Sequence, residues 1–269
     1  MSTGTDFDVL AQRIATQRGA RTGEVHIDDA LEEGASGILA GHSEARANFA
    51  GESDETINRQ VREAYIRKVN TVILCVGETA EEKSEGRTDA VVTSQVLGGL
   101  EGLTPEQVGK IIIAYEPRWA IKGSGYGKAA EPPDAQQAAA LIRKVIQERF
   151  SAEAAHGVRI LYGGAVDQGN AASFLVQDDI DGLLVGGRST AVAEFLPIVE
   201  AARQTEPAQG RIPYIGGNWK TYEIKDDYRA FAAALNDLDP ARVAVGIAPS
   251  LTKIRSLAEA LRSSTPPSP

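Results

Sequence analysis

Eight short apolar runs, with helix-like stretches between them, restrict the folding of this 269-residue chain more than any other feature. They are Phe7–Gln12, Gly37–Gly41, Thr71–Gly77, Lys110–Glu116, Val158–Gly163, Gly182–Gly187, Ile212–Asn218 and Val243–Pro249. One run recurs per about 34 residues, which leaves room for a strand, a crossover helix and two loops. Val72-Ile73-Leu74-Cys75-Val76 and Ile111-Ile112-Ile113-Ala114 are apolar without alternation, the pattern of parallel strands covered on both faces. Ala135–Phe150 instead gathers Ala138, Leu141, Ile142, Val145 and Ile146 on one face at helical spacing. Ser250–Arg262 does the same with Leu251, Ile254, Leu257, Ala258 and Leu261. An open doubly wound sheet also alternates strands and helices, but eight such units favour an α/β fold closed as a (β/α)8 barrel. The expectation is a single domain over residues 1–262. Gln204–Gly210, polar and without periodicity, reads as a linker, and Ser263–Pro269, rich in serine and proline, as a disordered, non-helical tail.

Charge and cysteine content narrow the partners and the compartment. A net charge of −9 argues against nucleic acid or an anionic membrane surface, and it means that an anionic substrate must be drawn by local positive groups. One cysteine, Cys75, rules out a disulfide framework within the chain and fits a reducing compartment. No apolar run approaches the roughly 18 residues of a membrane span. Met1-Ser2-Thr3-Gly4-Thr5-Asp6 lacks the basic and apolar regions of a signal peptide. The expected location is cytoplasmic.

Three of the runs carry an ionisable side chain at or just past their ends: His42, Glu116 and Lys220. In a barrel of parallel strands the C-terminal strand ends share one face, so these three converge. Singly, each has an ordinary reading as a surface carboxylate, a satisfied polar histidine or a solvated lysine, and His26 and His156 are read in that way. Together, a carboxylate, an imidazole and an ammonium form a set that can move a proton beside the carbonyl of an anionic substrate. Gly163-Gly164 and Gly186-Gly187 sit at the ends of two later runs. Glycine allows close backbone approach, and a following helix start offers free N–H groups to an anion. One such pair is weak evidence, but two on neighbouring late strands match the phosphate site commonly built there in such barrels. No cluster of His, Cys, Asp or Glu has metal-site spacing.

Gly41-His42-Ser43-Glu44, Ala114-Tyr115-Glu116-Pro117-Arg118-Trp119-Ala120-Ile121 and Gly217-Asn218-Trp219-Lys220 together resemble the motifs of the triosephosphate isomerase family, and the resemblance covers nearly the whole chain. It implies a TIM barrel that interconverts dihydroxyacetone phosphate and glyceraldehyde 3-phosphate through an enediolate, with no metal or organic cofactor. By the same resemblance Glu116 takes a proton from one substrate carbon and returns it to the next. His42 is the neutral electrophile, a role for which this family is the standard example. Lys220 holds the phosphate and offsets the enediolate charge, and Asn218 offers its side-chain amide to the substrate. Gly123, Ser124 and Gly125 lie in a stretch similar to the family's mobile lid, whose closure excludes water. With Gly163, Gly164, Ala165, Gly186 and Gly187 they form the implied phosphate contacts. Ser43, Glu44, Cys75, Tyr162 and Thr22 are implied to support the site. Glu44 is expected to pair with Lys220, while Cys75 reads most simply as a small buried hydrophobe. Thr22 lies in Gly19–Glu24, a loop that in the family enters a second subunit and braces the Asn and Lys there, which implies a homodimer. In the family the Asn-x-Lys strand comes first. Here it lies near the C-terminus, so the implied strand order is circularly permuted, with 204–210 as the joint.

The chain departs from the family pattern in several places. Arg13 stands where asparagine is usual, and Arg21 where phenylalanine is usual. Ile121-Lys122-Gly123-Ser124-Gly125-Tyr126-Gly127-Lys128 makes the lid longer. Ala165 replaces a serine that contacts phosphate and closed lid, and Arg188-Ser189-Thr190 replaces Ala-Ser-Leu. Two rival readings stay open at this point. One is an isomerase of the same fold acting on a four-carbon keto-sugar phosphate. The other is a permuted barrel that binds phosphate with impaired turnover.

Overall fold

A computed structural model describes residues 7–49, 51–120, 129–206, 210–236 and 238–263. Each apolar run contains one strand: β1 Phe7–Ala11, β2 Gly37–Ala40, β3 Thr71–Val76, β4 Ile112–Tyr115, β5 Arg159–Tyr162, β6 Gly182–Val185, β7 Tyr214–Asn218 and β8 Ala244–Ala248. The strands are shorter than the runs because the flanking residues have already turned into loops. All pair in parallel in chain order, and β8 returns to β1, which closes a TIM barrel. β7 lies between β6 and β8, with Gly182 opposite Tyr214 and Tyr214 opposite Ala244.

The unbroken apolar sequence of the strands follows from this closure. Leu10, Leu39, Ile73, Cys75, Ile112, Leu161 and Leu184 form a cluster inside the ring. Their chain neighbours Val9, Ile38, Val72, Leu74, Ile113 and Leu183 belong to the second layer, packed against the helices. The helices carry their own start signals. Thr79 and Thr104 open capping boxes, Ser53 and Ser151 accept from backbone amides, and Pro132 begins the long helix Pro132–Arg149. Among the described residues no helix is long and apolar enough to cross a membrane.

Two boundary regions differ from or exceed the sequence reading. The last helix, Leu251–Ser263, takes in Ser263, which the sequence placed in the tail. Its hydroxyl donates to the Glu259 carbonyl at 2.7 Å, one turn back, and no proline restrains the backbone until Pro266. The rest of the tail, 264–269, lies outside the described residues, as do 207–209 of the linker. Past the linker the chain is tied down at once. Arg211 Nε lies 2.6 Å from Asp181 Oδ1, and the Tyr214 amide donates to the Asp181 carbonyl at 3.0 Å. Asp181 also receives Arg143 Nη2 at 2.7 Å and the Ile160 amide at 2.9 Å.

Candidate active site

The strand ends bring the expected groups to one open cavity of about 760 Å³, lined by His42, Glu116, Asn218 and Lys220 together with Gly163–Ala165 and Gly186–Gly187. Gly123, Ser124 and Gly125 lie outside the described residues.

Glu116 leaves the end of β4 almost fully buried. Its Oε2 accepts from the Ser43 amide at 2.8 Å, and its Oε1 lies 3.1 Å from His42 Nε2. Burial works to raise the carboxyl, but His42, the Ser43 amide and Lys220 outweigh it and hold Glu116 below the ordinary glutamate value. Two glycines make room for this residue. A Cβ on Gly77 would stand 2.0 Å from the Glu116 carbonyl oxygen, and one on Gly163 would stand 2.9 Å from its Cγ. Any side chain at Gly77 would therefore displace the backbone that aims the carboxylate.

His42 caps the short helix Ser43–Asn48, its Nδ1 accepting from the Glu44 amide at 3.2 Å. A ring nitrogen that accepts carries no hydrogen, so the hydrogen belongs on Nε2, which faces Glu116 and the cavity. The cap leaves Nε2 as the ring nitrogen that donates toward Glu116 and the cavity. Cys75 is wholly buried within the barrel. Burial comes first and the Glu116 charge second in pushing its thiol well above the ordinary range, so it is an inert neighbour of the carboxylate.

Lys220 adopts φ of +50°, a left-handed conformation uncommon for a side-chain-bearing residue. Asn218 permits it by accepting from the Lys220 amide at 3.0 Å. Lys220 Nζ meets Glu44 Oε1 at 2.7 Å, the pairing expected from the sequence. Tyr162 stacks on Phe174 at 4.0 Å, its hydroxyl filling the space that a Cβ on Gly164 would need. Thr22 is exposed and is not among the residues lining the cavity.

A buried carboxylate and an imidazole donor in contact, with an ammonium beside them and paired glycines opposite, can shuttle a proton across adjacent carbons of a phosphorylated carbonyl compound. The sequence profile of the family described as Triosephosphate isomerase matches residues 1–202. The chain belongs to the triosephosphate isomerase family. It is 47% identical over 203 residues to a triosephosphate isomerase of Symbiobacterium thermophilum, across 75% of this chain and 77% of that relative. It is 46% identical over 197 residues to one of Citrifermentans bemidjiense, across 73% and 76%. A third, of Carboxydothermus hydrogenoformans, is 44% identical over 200 residues, across 74% and 78%. By membership the chain is an isomerase.

Two residues that support this isomerase site escaped the sequence reading. Gln12 Nε2 donates to the Lys220 carbonyl at 2.8 Å and to the Ala248 carbonyl at 2.9 Å, clasping the ends of β7 and β8 from β1. Glu78, fully buried, accepts from Trp119 Nε1 at 2.8 Å, from the Tyr115 hydroxyl at 3.1 Å and from Thr88 at 3.2 Å. It fixes both sides of Glu116, since Tyr115 precedes that residue and Trp119 follows it by three. Its position, just past the end of an apolar run, was the available signal, because His42, Glu116 and Lys220 stand in the same kind of place.

Proposed function

We propose that Glu116, His42, Lys220 and Asn218 carry the triose-phosphate isomerase reaction of this chain, interconverting dihydroxyacetone phosphate and glyceraldehyde 3-phosphate. The observation that carries the reading is the 3.1 Å contact between Glu116 Oε1 and His42 Nε2 beside the glycine pairs. Glu116 removes a proton from the carbon next to the carbonyl, and the electron pair moves onto the carbonyl oxygen. His42 Nε2–H and the Lys220 ammonium stabilise that oxygen as an enediolate. Through His42 Nε2 the proton of the neighbouring hydroxyl passes to that oxygen, and Glu116 returns the carbon-derived proton to the former carbonyl carbon while the deprotonated hydroxyl becomes the new carbonyl. Asn218 orients the substrate, while Gly164, Ala165, Gly186 and Gly187 hold the phosphate through their backbone amides; the Gly163 amide, expected to join them, is already donated to the Tyr115 carbonyl at 2.8 Å, so Gly163 serves by leaving room for Glu116.

The pH profile tests this assignment. A base works only when deprotonated, and Glu116 is held below the ordinary glutamate value of 4.5. The active form therefore persists as pH falls, and the acid limb should appear only below 4.5. Unphosphorylated glyceraldehyde is the right substrate here, because a substrate phosphate has its own ionisation near pH 6. An acid limb at pH 6 or above with glyceraldehyde would overturn the assignment.

We further propose that the strand order is a circular permutation of the family's, within one barrel domain, and that the chain forms a homodimer through Gly19–Glu24. The profile match stops at residue 202, and two further strand–helix units follow, carrying Asn218 and Lys220. A ring can be opened at any surface joint with its contacts kept. The Arg21 charge is met within its own loop, by Gln17 at 3.0 Å and Glu24 at 3.4 Å, so it does not oppose association as a lone charge would. A chain in which residues 210–263 precede 7–204 should keep kcat/KM within about twofold and sediment, like the natural chain, as a dimer at micromolar concentration. Failure of the reordered chain to fold would defeat the permutation reading. A fully active monomer would defeat the dimer.

A further inference from the structure

Arg188 directly follows the Gly186–Gly187 pair, in the tight turn Gly187–Thr190, at a position where the family pattern has alanine. Arg188 is among the residues lining the same cavity as Glu116 and Lys220, and its side chain is half exposed. It is held loosely. Nη1 lies 3.1 Å from Glu194 Oε2, and Nη2 lies 4.0 Å from Asp167 Oδ2, beyond hydrogen-bonding distance. Glu194 has a second and closer cation, Lys225 Nζ, at 2.7 Å. Lys225 also leads, ahead of Arg188, in holding the Glu194 carboxyl below its ordinary range. If Arg188 leaves, Glu194 remains paired, so the departure strands no charge.

Ala165 lines this cavity where the family pattern has a serine that touches phosphate. The cradle has therefore lost a hydroxyl donor and gained a guanidinium. A guanidinium presents parallel donors that match two phosphate oxygens at once, and such charge-assisted pairs are stronger than a hydroxyl contact.

We propose that Arg188 moves from Glu194 to the substrate phosphate, replaces the missing serine contact and sets the preference for phosphorylated over unphosphorylated substrate. This rests on the reading of the cavity as the triose-phosphate site. The chemical class that Arg188 recognises is a phosphate monoester dianion.

The test compares Arg188→Ala, Ala165→Ser and the double variant. Three measurements are made: kcat/KM for glyceraldehyde 3-phosphate, kcat/KM for unphosphorylated glyceraldehyde, and inorganic phosphate affinity by calorimetry. Arg188→Ala should lower the ratio of the two kcat/KM values about tenfold and weaken inorganic phosphate by a similar factor. Adding Ala165→Ser should recover part of both losses. Glu194→Gln, which removes the carboxylate that detains Arg188, should tighten phosphate. A ratio and a phosphate affinity unchanged in Arg188→Ala would overturn the proposal, as would equal losses on both substrates. Phosphate affinity is read without turnover. If the wild-type protein turned over neither substrate, the isomerase assignment would fall, while the calorimetric comparison would still decide the role of Arg188.

Discussion

Glu116→Gln should reduce kcat by about 10³-fold while leaving inorganic phosphate affinity as in the wild type. Glutamine keeps the size of the side chain and an oxygen for the Ser43 amide, which lies 2.8 Å away in the native site. It cannot accept a proton from carbon. General base work by one group is typically worth about 10²–10⁴-fold, and here the group is buried and aimed, so the middle of that range is expected. The proposed phosphate cradle follows β5 and β6, and glutamine keeps the shape that packs against Gly163, so the cradle backbone is left in place. Single-turnover rates beside calorimetric phosphate binding give both readouts. Wild-type turnover with normal phosphate binding would remove Glu116 from the reaction.

Asp181→Ala should lower stability by about 3–5 kcal/mol, the usual cost of stripping one member from a buried ion-paired group. Asp181 is almost completely buried and serves Arg143, Arg211 and the Ile160 amide together. Removing it leaves two guanidinium groups short of a carboxylate, in a place where water is scarce. For a domain of this size the expected fall in Tm is roughly 10 °C. Asp181→Asn should cost less, because it can still accept from Ile160. Differential scanning calorimetry of both variants checks the order. A Tm within about 2 °C of wild type for Asp181→Ala would mean that the pairs contribute no net stability.

The strands were legible because helices outside and packed side chains inside cover both faces of most of them, and that leaves an apolar run in the linear text. The meeting of Glu116, His42 and Lys220 in one cavity was legible for a related reason: each stands at or just past the C-terminal end of such a run. Gln12 was not. It is a polar residue after a strand like many others, and what gives it meaning are carbonyls 208 and 236 residues away. Glu78 depends in the same way on Tyr115 and Trp119, which come to it only once β4 pairs beside β3. Local pattern carries burial and strand ends. It does not carry hydrogen bonds whose partners are chosen by the closed ring. The helical end at Ser263 shows the reverse error, where composition suggested a break before any proline enforced one.

The clasp of Gln12 over Lys220 and Ala248 has a consequence for the time course of folding. Its members come from β1, β7 and β8, the first strand of the chain and the last two. During synthesis the first six strands emerge before β7 and β8 exist, and a parallel sheet of that kind presents two unpaired edges. Pairings between the far ends of the chain are the slowest to form, because the longest loops must close first. The lysine gains its left-handed backbone and its support only in that final step. By the role proposed for Lys220, catalysis reports ring closure itself, and a partly assembled barrel has exposed edges to be guarded and no activity to show.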